Sequence, residues 1–202
     1  MQLRTKIIIG TLAAILCGCA KEEQAATQPG NDLSAAEARA LAREAYVFGM
    51  PLMYYAVNQG VMTNVPKPEG SRAPYNQFAH FREFPDPSNR TVVAWNVDTL
   101  YSIGTLDVTA EPIILTVPDT GDRWWLMQIL DAWNDVPAAP GTRTVGNKGG
   151  NYALVGPNWN GTLPPDVKEI RLDTSLLGLG GRTYTAGPAD YPRFTRSRIS
   201  TS

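Results

Sequence analysis

Apolar positions along this chain follow three different rhythms. Ile7 to Leu16 is a nearly unbroken apolar run. From Ser34, apolar residues recur at helical spacing: Leu41, Ala45, Phe48 and Leu52 are separated by four, three and four, which places them on one helix face. Ser34-Ala-Ala-Glu37 reads as a capping box, so the helix is predicted over 34–50. Pro51 should kink or interrupt it near Gly49, and Leu52 to Met62 reads as a possible continuation. Asn64 to Pro74, with Pro66, Pro68, Gly70 and Pro74, reads as loop. From Thr91 the rhythm becomes short runs between turns. Strands are predicted at Thr91–Trp95, Leu100–Val108, Pro112–Val117, Arg123–Trp133, Asn151–Val155, Lys168–Leu172 and Leu176–Tyr184. Pro118 to Asp122 reads as a hairpin-type turn. Arg123–Trp133 is apolar on both faces, which predicts a central strand buried on both sides. The fold class that follows is mainly β with an N-terminal helix (α+β), with antiparallel sheets in a β-sandwich or jelly-roll-like arrangement.

The first run belongs to a different category. Arg4 and Lys6 precede it, and Leu16-Cys17-Gly18-Cys19 follows it. A basic start, a short apolar stretch and small residues make a secretory signal over 1–19. The stretch is too short to span a bilayer, which needs about 20 apolar residues. Leu-x-Gly-Cys resembles a bacterial lipobox, in which Cys19 carries the lipid and becomes the mature N-terminus. The expected address is the cell envelope, with the outer membrane favoured by Ala20 after the cysteine, in an organism that has one. Residues 20–32 are too polar and too rich in small residues to support ordering and read as a tether, reaching about 45 Å at roughly 3.4 Å per residue.

Composition narrows the partners. Lys and Arg total 18 against 19 Asp and Glu; without Arg4 and Lys6 the count is 16 against 19, a net charge of −3. No basic stripe is present, which argues against nucleic acid. Once Cys17 leaves with the signal and Cys19 is acylated, the mature chain holds no thiol for disulfides or metals.

Candidate chemistry is sparse. His80 is the single histidine, so a multi-histidine zinc site cannot form within the chain, and no metal site is predicted. No nucleophile elbow is present, and Gly146 to Gly150 lacks a phosphate-loop ending and reads as a tight turn. Asn96 and Asp98, two apart on a strand, would share one face near Tyr101 and could bind a sugar or orient a water; the alternative is a strand-end cap. Asp131 sits among apolar residues and needs a partner, with Arg143, Arg123 or Arg182 as candidates; the pair could be structural or an acid in a pocket. His80 could face that pocket or solvent. The catalytic candidates are therefore His80, Asp98, Tyr101 and Asp131, and the binding candidates Asn96, Gln128, Arg143, Asn147, Trp159 and Arg182. Trp133 and Trp159 are candidates for an exposed sugar platform, whereas Trp124 and Trp125 read as core. These motifs name no cofactor. They leave open an envelope hydrolase or lyase acting on a small or carbohydrate substrate, and a glycan- or protein-binding module.

Several blocks resemble one family. Trp95-Asn96-Val97-Asp98-Thr99-Leu100-Tyr101-Ser102 looks like the Asn-x-Asp-Thr-x-Tyr-Ser motif of the bacterial domain of unknown function 1254. Ala45 to Leu52, Asn76 to His80, Arg123-Trp124-Trp125 with Gln128 and Asp131, Gly141 to Asn147, Gly149 to Tyr152, Gly156 to Gly161 and Gly181 to Tyr184 match in order. The resemblance covers about Ala38 to Pro192, within a family domain at 33–192. It implies a mostly β fold with an N-terminal helix, usually followed by a second domain of unknown function, 1214, and it supplies no mechanism. Family members continue with a helix resembling Val-His-Ala-Leu-Gln-Asp-Gln-Tyr. Codons for that helix, read one base later, give Phe-Thr-Arg-Ser-Arg-Ile-Ser-Thr, as found from Phe194. Residues 193–202 therefore read as a frameshifted tail of a truncated member, which should expose apolar surface where the second half would dock. A naturally short protein with a disordered basic tail is the alternative. Gly178 and Gly180 stand where bulkier apolar residues are expected in a strand.

Overall fold

The computed structural model describes residues 33–90, 92–194 and 200–201. The signal segment with Cys19, the tether and most of the tail lie outside the described residues. The chain divides into Met1–Ala42 and Arg43–Ser202. The described part of the first unit is the cap and opening turns of α1 (Ala35–Thr63). Its capping box forms as the spacing predicts. The Glu37 amide donates to Ser34 Oγ at 3.3 Å, and the Glu37 carboxylate accepts from the Ser34 amide at 2.8 Å.

In the second unit α1 runs through Pro51 to Thr63 rather than stopping at residue 50. A proline inside a helix costs about 3 kcal/mol, and contacts on either side of it offset that cost. The Pro51 carbonyl accepts from Asn134 Nδ2 at 3.2 Å, and Phe48 packs on Trp133 with ring centroids 5.1 Å apart. The predicted face is buried only at its C-terminal end: Leu41, Phe48 and Leu52 are exposed, and the buried helix positions are Tyr55 and Gln59, which continue the same stripe one turn apart.

Eight strands make two four-stranded sheets. The first is ordered β1 (Gln77–His80), β2 (Thr99–Asp107), β7 (Leu176–Tyr184), β4 (Trp125–Leu130). The second is ordered β6 (Val167–Arg171), β5 (Gly150–Val155), β3 (Ile113–Val117), β8 (Ser200–Thr201). All pairings are antiparallel except β5 with β6, which is parallel. One core joins the sheets: Leu106, Trp125, Met127, Ile129, Leu177 and Leu179 from the first meet Ile113, Leu115, Val117, Tyr152 and Leu154 from the second. A mainly β sandwich with an N-terminal helix is therefore the architecture.

Several local expectations change. β4 is an edge strand of its sheet, not a central one. Trp125, Met127 and Ile129 face the core, while Leu126, Gln128 and Leu130 are only half-buried. The segment Ala138–Thr142 shields that edge, with the Met127 and Ile129 amides donating to the Pro140 and Ala138 carbonyls. Pro118 to Asp122 links β3 to β4 across the two sheets, so it is not a hairpin. The described residues of Thr91–Trp95 form no strand, whereas Gln77–His80, read as loop, pairs with β2. At the far end β8 pairs with β3 through Leu115 and Thr116, so the described tail residues form an edge strand. Gly146, Gly149 and Gly150 make the expected turn with positive φ of 78°, 73° and 148°. A Cβ at Gly149 would sit 2.4 Å from the Val117 carbonyl oxygen.

Candidate functional site

The outward face of the first sheet forms the floor of a large cleft. Strand alternation sends Tyr101, Ile103 and Thr105 of β2, Gly178, Gly180 and Arg182 of β7, and Gln128 and Leu130 of β4 to this side. Asn58, Gln59 and Met62 of α1 form one wall, and Ser71, Arg72, Val92, Ala94 and Trp95 the other. The cleft holds about 830 Å³, within the range of small-ligand sites.

The two glycines that seemed out of place in β7 give this floor its shape. Gly180 lies between Ile103 and Gln128, and Gly178 between Thr105 and Leu130. A Cβ at Gly180 would meet only Gln128 Oε1, at 4.0 Å. A Cβ at Gly178 would find Leu130 at 3.6 Å and Gln59 Nε2 at 4.0 Å. The backbone of β7 is thus bare to the cleft, with Gly180 open and only Leu130 and Gln59 within reach of a side chain at Gly178.

One end of the cleft is an aromatic cluster. Phe81, Trp95 and Tyr101 lie 5.3 to 5.7 Å apart between ring centroids. The Tyr101 hydroxyl accepts from the Asn96 side-chain amide, which fixes the ring. The Arg182 guanidinium lies over the Tyr101 ring, 5.4 Å from its centroid. Among the described residues Arg182 makes no salt bridge, whereas the neighbouring Arg72 is paired with Glu69 at 2.7 Å.

Two polar atoms of the lining have no partner among the described residues: Gln59 Oε1 and Trp95 Nε1. Gln59 is 4% exposed. Leaving such a group buried and unbonded costs about 1–3 kcal/mol. Tyr55, one turn earlier, also has a buried hydroxyl without a partner. Burial pushes its phenol well above the ordinary value, with Tyr75, Asp131 and Asp107 adding to the effect.

Of the residues singled out from sequence, Tyr101, Gln128 and Arg182 meet in this cleft, with Asn96 behind Tyr101. The others do not join them. His80 pairs with Ser102, and its Nδ1 lies 2.8 Å from Ser102 Oγ. Those residues alternate with Tyr101 and so face the opposite side of the sheet. Asn96 and Asp98 precede β2 rather than lying on a strand. Asn96 Oδ1 accepts from the amides of Asp98 and Thr99, at 3.0 and 2.8 Å, which is a turn cap, and Asp98 is exposed. Asp131 is buried without an arginine: its Oδ1 accepts from the amides of Trp133 and Asp135, at 2.8 and 3.0 Å. It shapes the turn that grips α1. Arg123, one expected partner, instead holds Asp190 with two bonds, at 2.6 and 2.8 Å, and Arg143 is exposed on a loop. The Arg123 guanidinium, helped by the Ala186 amide and the Thr185 hydroxyl, keeps the Asp190 carboxyl far below the usual range. Asn147 Nδ2 donates to the Gly121 carbonyl at 2.8 Å and ties two turns together. Trp159 is half-buried over Gly161, and Trp133 is half-buried against Phe48, so they form no open platform. Trp125 is core as expected, while Trp124 is half-buried. Among the described residues no group of three His, Cys, Asp or Glu side chains could hold a metal, and no helix is long and apolar enough to cross a membrane.

The model of a family described as "Protein of unknown function (DUF1254)" matches residues 75–199, more than half of the chain. The chain belongs to the DUF1254 family. This DUF1254 chain is also similar in structure to the VPA0106 protein of Vibrio parahaemolyticus. The TM-score is 0.64 and the identity 30%, over 80% of this chain and 37% of that one. An uncharacterized protein from Burkholderia cenocepacia matches at TM-score 0.41 and 13% identity, over 63% of this chain and 34% of that one. The chain thus spans little more than a third of the length of these solved relatives. No curated protein matches it.

The cleft residues that sequence reasoning missed are Gln59 and Trp95. Gln59 continues the face of Leu41, Phe48 and Leu52, but as a polar residue in an apolar stripe it was not singled out. The one sequence signal near them was the pair Gly178 and Gly180, whose missing side chains make the space.

Proposed function

We propose that this DUF1254 chain is a lipid-anchored envelope protein whose family domain binds a small polar ligand in the cleft over Gly178 and Gly180. The observation that carries the reading is the pair of unpartnered polar atoms, Gln59 Oε1 and Trp95 Nε1, in one cleft with a bare backbone floor. Folding leaves such atoms unbonded only at a cost, and a ligand that bonds both recovers it. Among the described residues the lining contains no carboxylate, imidazole or thiol, which favours binding over acid–base hydrolysis or elimination. The lipobox-like Leu16 to Cys19 supports the envelope address. A thermal-shift screen of small polar metabolites tests the reading. Hits on the full chain should vanish with Gly180→Val, whose side chain fills the floor; hits unchanged by that variant would refute it.

A second reading is favoured by α1. Tyr46, Val47, Phe48, Met53, Tyr54, Val57 and Val61 are each more than half exposed, a larger apolar face than a lone domain usually shows. In this reading the chain is the front part of a longer protein, and further family sequence of the kind that lengthens VPA0106 covers the helix. Sequencing the gene beyond the codon for Ser202 tests it: a shifted frame encoding a family-like continuation supports it, and the lack of one refutes it.

A further inference from the structure

Resting on the cleft reading above, we propose that the ligand is an acidic saccharide about two sugar rings long, with one carboxylate seated at Arg182 and hydroxyls at the Gln59 end. Charge argues for the acid. Arg72 is neutralised by Glu69 at 2.7 Å, whereas Arg182 has no anionic partner among the described residues and is held over Tyr101. The cleft therefore carries one uncompensated positive charge, aimed by a stacked ring, and a planar guanidinium suits a carboxylate.

The far end has the opposite character. Gln59 offers a buried carboxamide with an unpartnered oxygen beside Gly178. A hydroxyl satisfies a carboxamide in either orientation, because it both donates and accepts. A second charge there would be buried without a partner. Between the two ends the floor is the bare backbone of Gly180 and Gly178, flanked by Ile103 and Leu130. A flat, apolar-faced ring can lie on such a floor. From Arg182 to Gly178 is four residues along β7, about 13 Å at roughly 3.3 Å per residue. That matches two linked pyranose rings.

Isothermal titration of the full chain in detergent micelles with cellobiouronate (glucuronosyl-glucose, one carboxylate), and with neutral cellobiose as control, tests this. Cellobiouronate should bind about 10- to 100-fold more tightly than cellobiose. Arg182→Gln should erase that preference, and Gly180→Val should abolish binding of both while the circular dichroism spectrum stays unchanged. Equal binding of the two disaccharides, or a preference that survives Arg182→Gln, overturns the acidic assignment and leaves the cleft reading standing. Cellobiouronate binding that survives both Gly180→Val and Gly180→Leu in folded protein overturns the cleft reading itself. Binding of neither disaccharide at millimolar concentration overturns the saccharide, whatever the metabolite screen returns.

Discussion

Replacing Gln59 by methionine should stabilise this protein while removing its ligand contact. Gln59 is 4% exposed on α1, and its Oε1 has no partner among the described residues. Burying an amide group without a compensating bond costs about 1–3 kcal/mol. Methionine has similar length and volume and sits as well in a helix, so packing against Gly178 and Leu130 is preserved. The substitution should therefore recover about 1–2 kcal/mol. For a domain of this size each kcal/mol moves the Tm by about 2–4 °C, so a rise of roughly 2–8 °C is expected. Thermal unfolding followed by circular dichroism measures it, with urea unfolding as a check that the m-value is unchanged. Ligand affinity should fall in the same variant. A Tm lowered by more than a few degrees would mean that Gln59 holds the helix through bonds of its own, and would refute the argument that its carboxamide is reserved for a ligand.

Three further outcomes follow from the same geometry. Asp190→Asn breaks the two-bond pair with Arg123 and should cost about 3 kcal/mol. Because the folded Asp190 carboxyl is held well below its unfolded value of 3.8, its contribution is complete above about pH 4 and is lost as pH falls below that. The stability difference between wild type and variant, measured by urea unfolding, should shrink between pH 5 and about pH 2. Asp131→Ala removes the acceptor for the Trp133 and Asp135 amides and should lower stability by about 1–3 kcal/mol, loosening the turn that binds Pro51. Hydrogen exchange should rise in α1 around Pro51, and an unchanged pattern there would deny that link. His80→Gln, on the sheet face opposite the cleft, should leave ligand affinity within about twofold, as titration would show; a large loss would place His80 in the site after all.

The alternation of apolar residues was legible in the strands of five residues or more except β4, whose Leu126 and Leu130 made both faces read as apolar. β2, β3, β5, β6 and β7 lie within a residue of their predicted ends. β1 escaped because Gln-Phe-Ala-His is too short to show a period, and it is a strand only because β2 offers its edge. Thr91–Trp95 had the right residue types, yet its described residues 92–95 form no strand, which sequence alone does not reveal. Pro51 carries a local cost that the contacts of Phe48 and Asn134, distant in sequence from the turn they join, offset. The candidate site divided in the same way. Tyr101, Gln128 and Arg182 could be found because strand period fixes which residues share a face. Asp131 was misread because a buried carboxylate can be satisfied by turn amides as fully as by an arginine, whereas the cap that Asn96 forms was one of the two readings its position allowed. The helical period puts Gln59 on the predicted face, but which part of that face is covered depends on how α1 lies over the sheet, which no pattern within the helix encodes.

The central claim is that the unpartnered atoms of the cleft are ligand contacts, and the indole N–H of Trp95 reports on it directly. In a nitrogen-15 correlation spectrum the five tryptophan indole signals can be assigned by Trp→Phe variants. On titration with cellobiouronate, or with a hit from the metabolite screen, the Trp95 signal should move downfield as its proton gains an acceptor. Trp125, whose N–H already donates to the Gly146 carbonyl at 3.1 Å, should stay in place. A ligand that binds with the Trp95 signal unmoved, or that shifts Trp133 or Trp159 instead, would contradict the account.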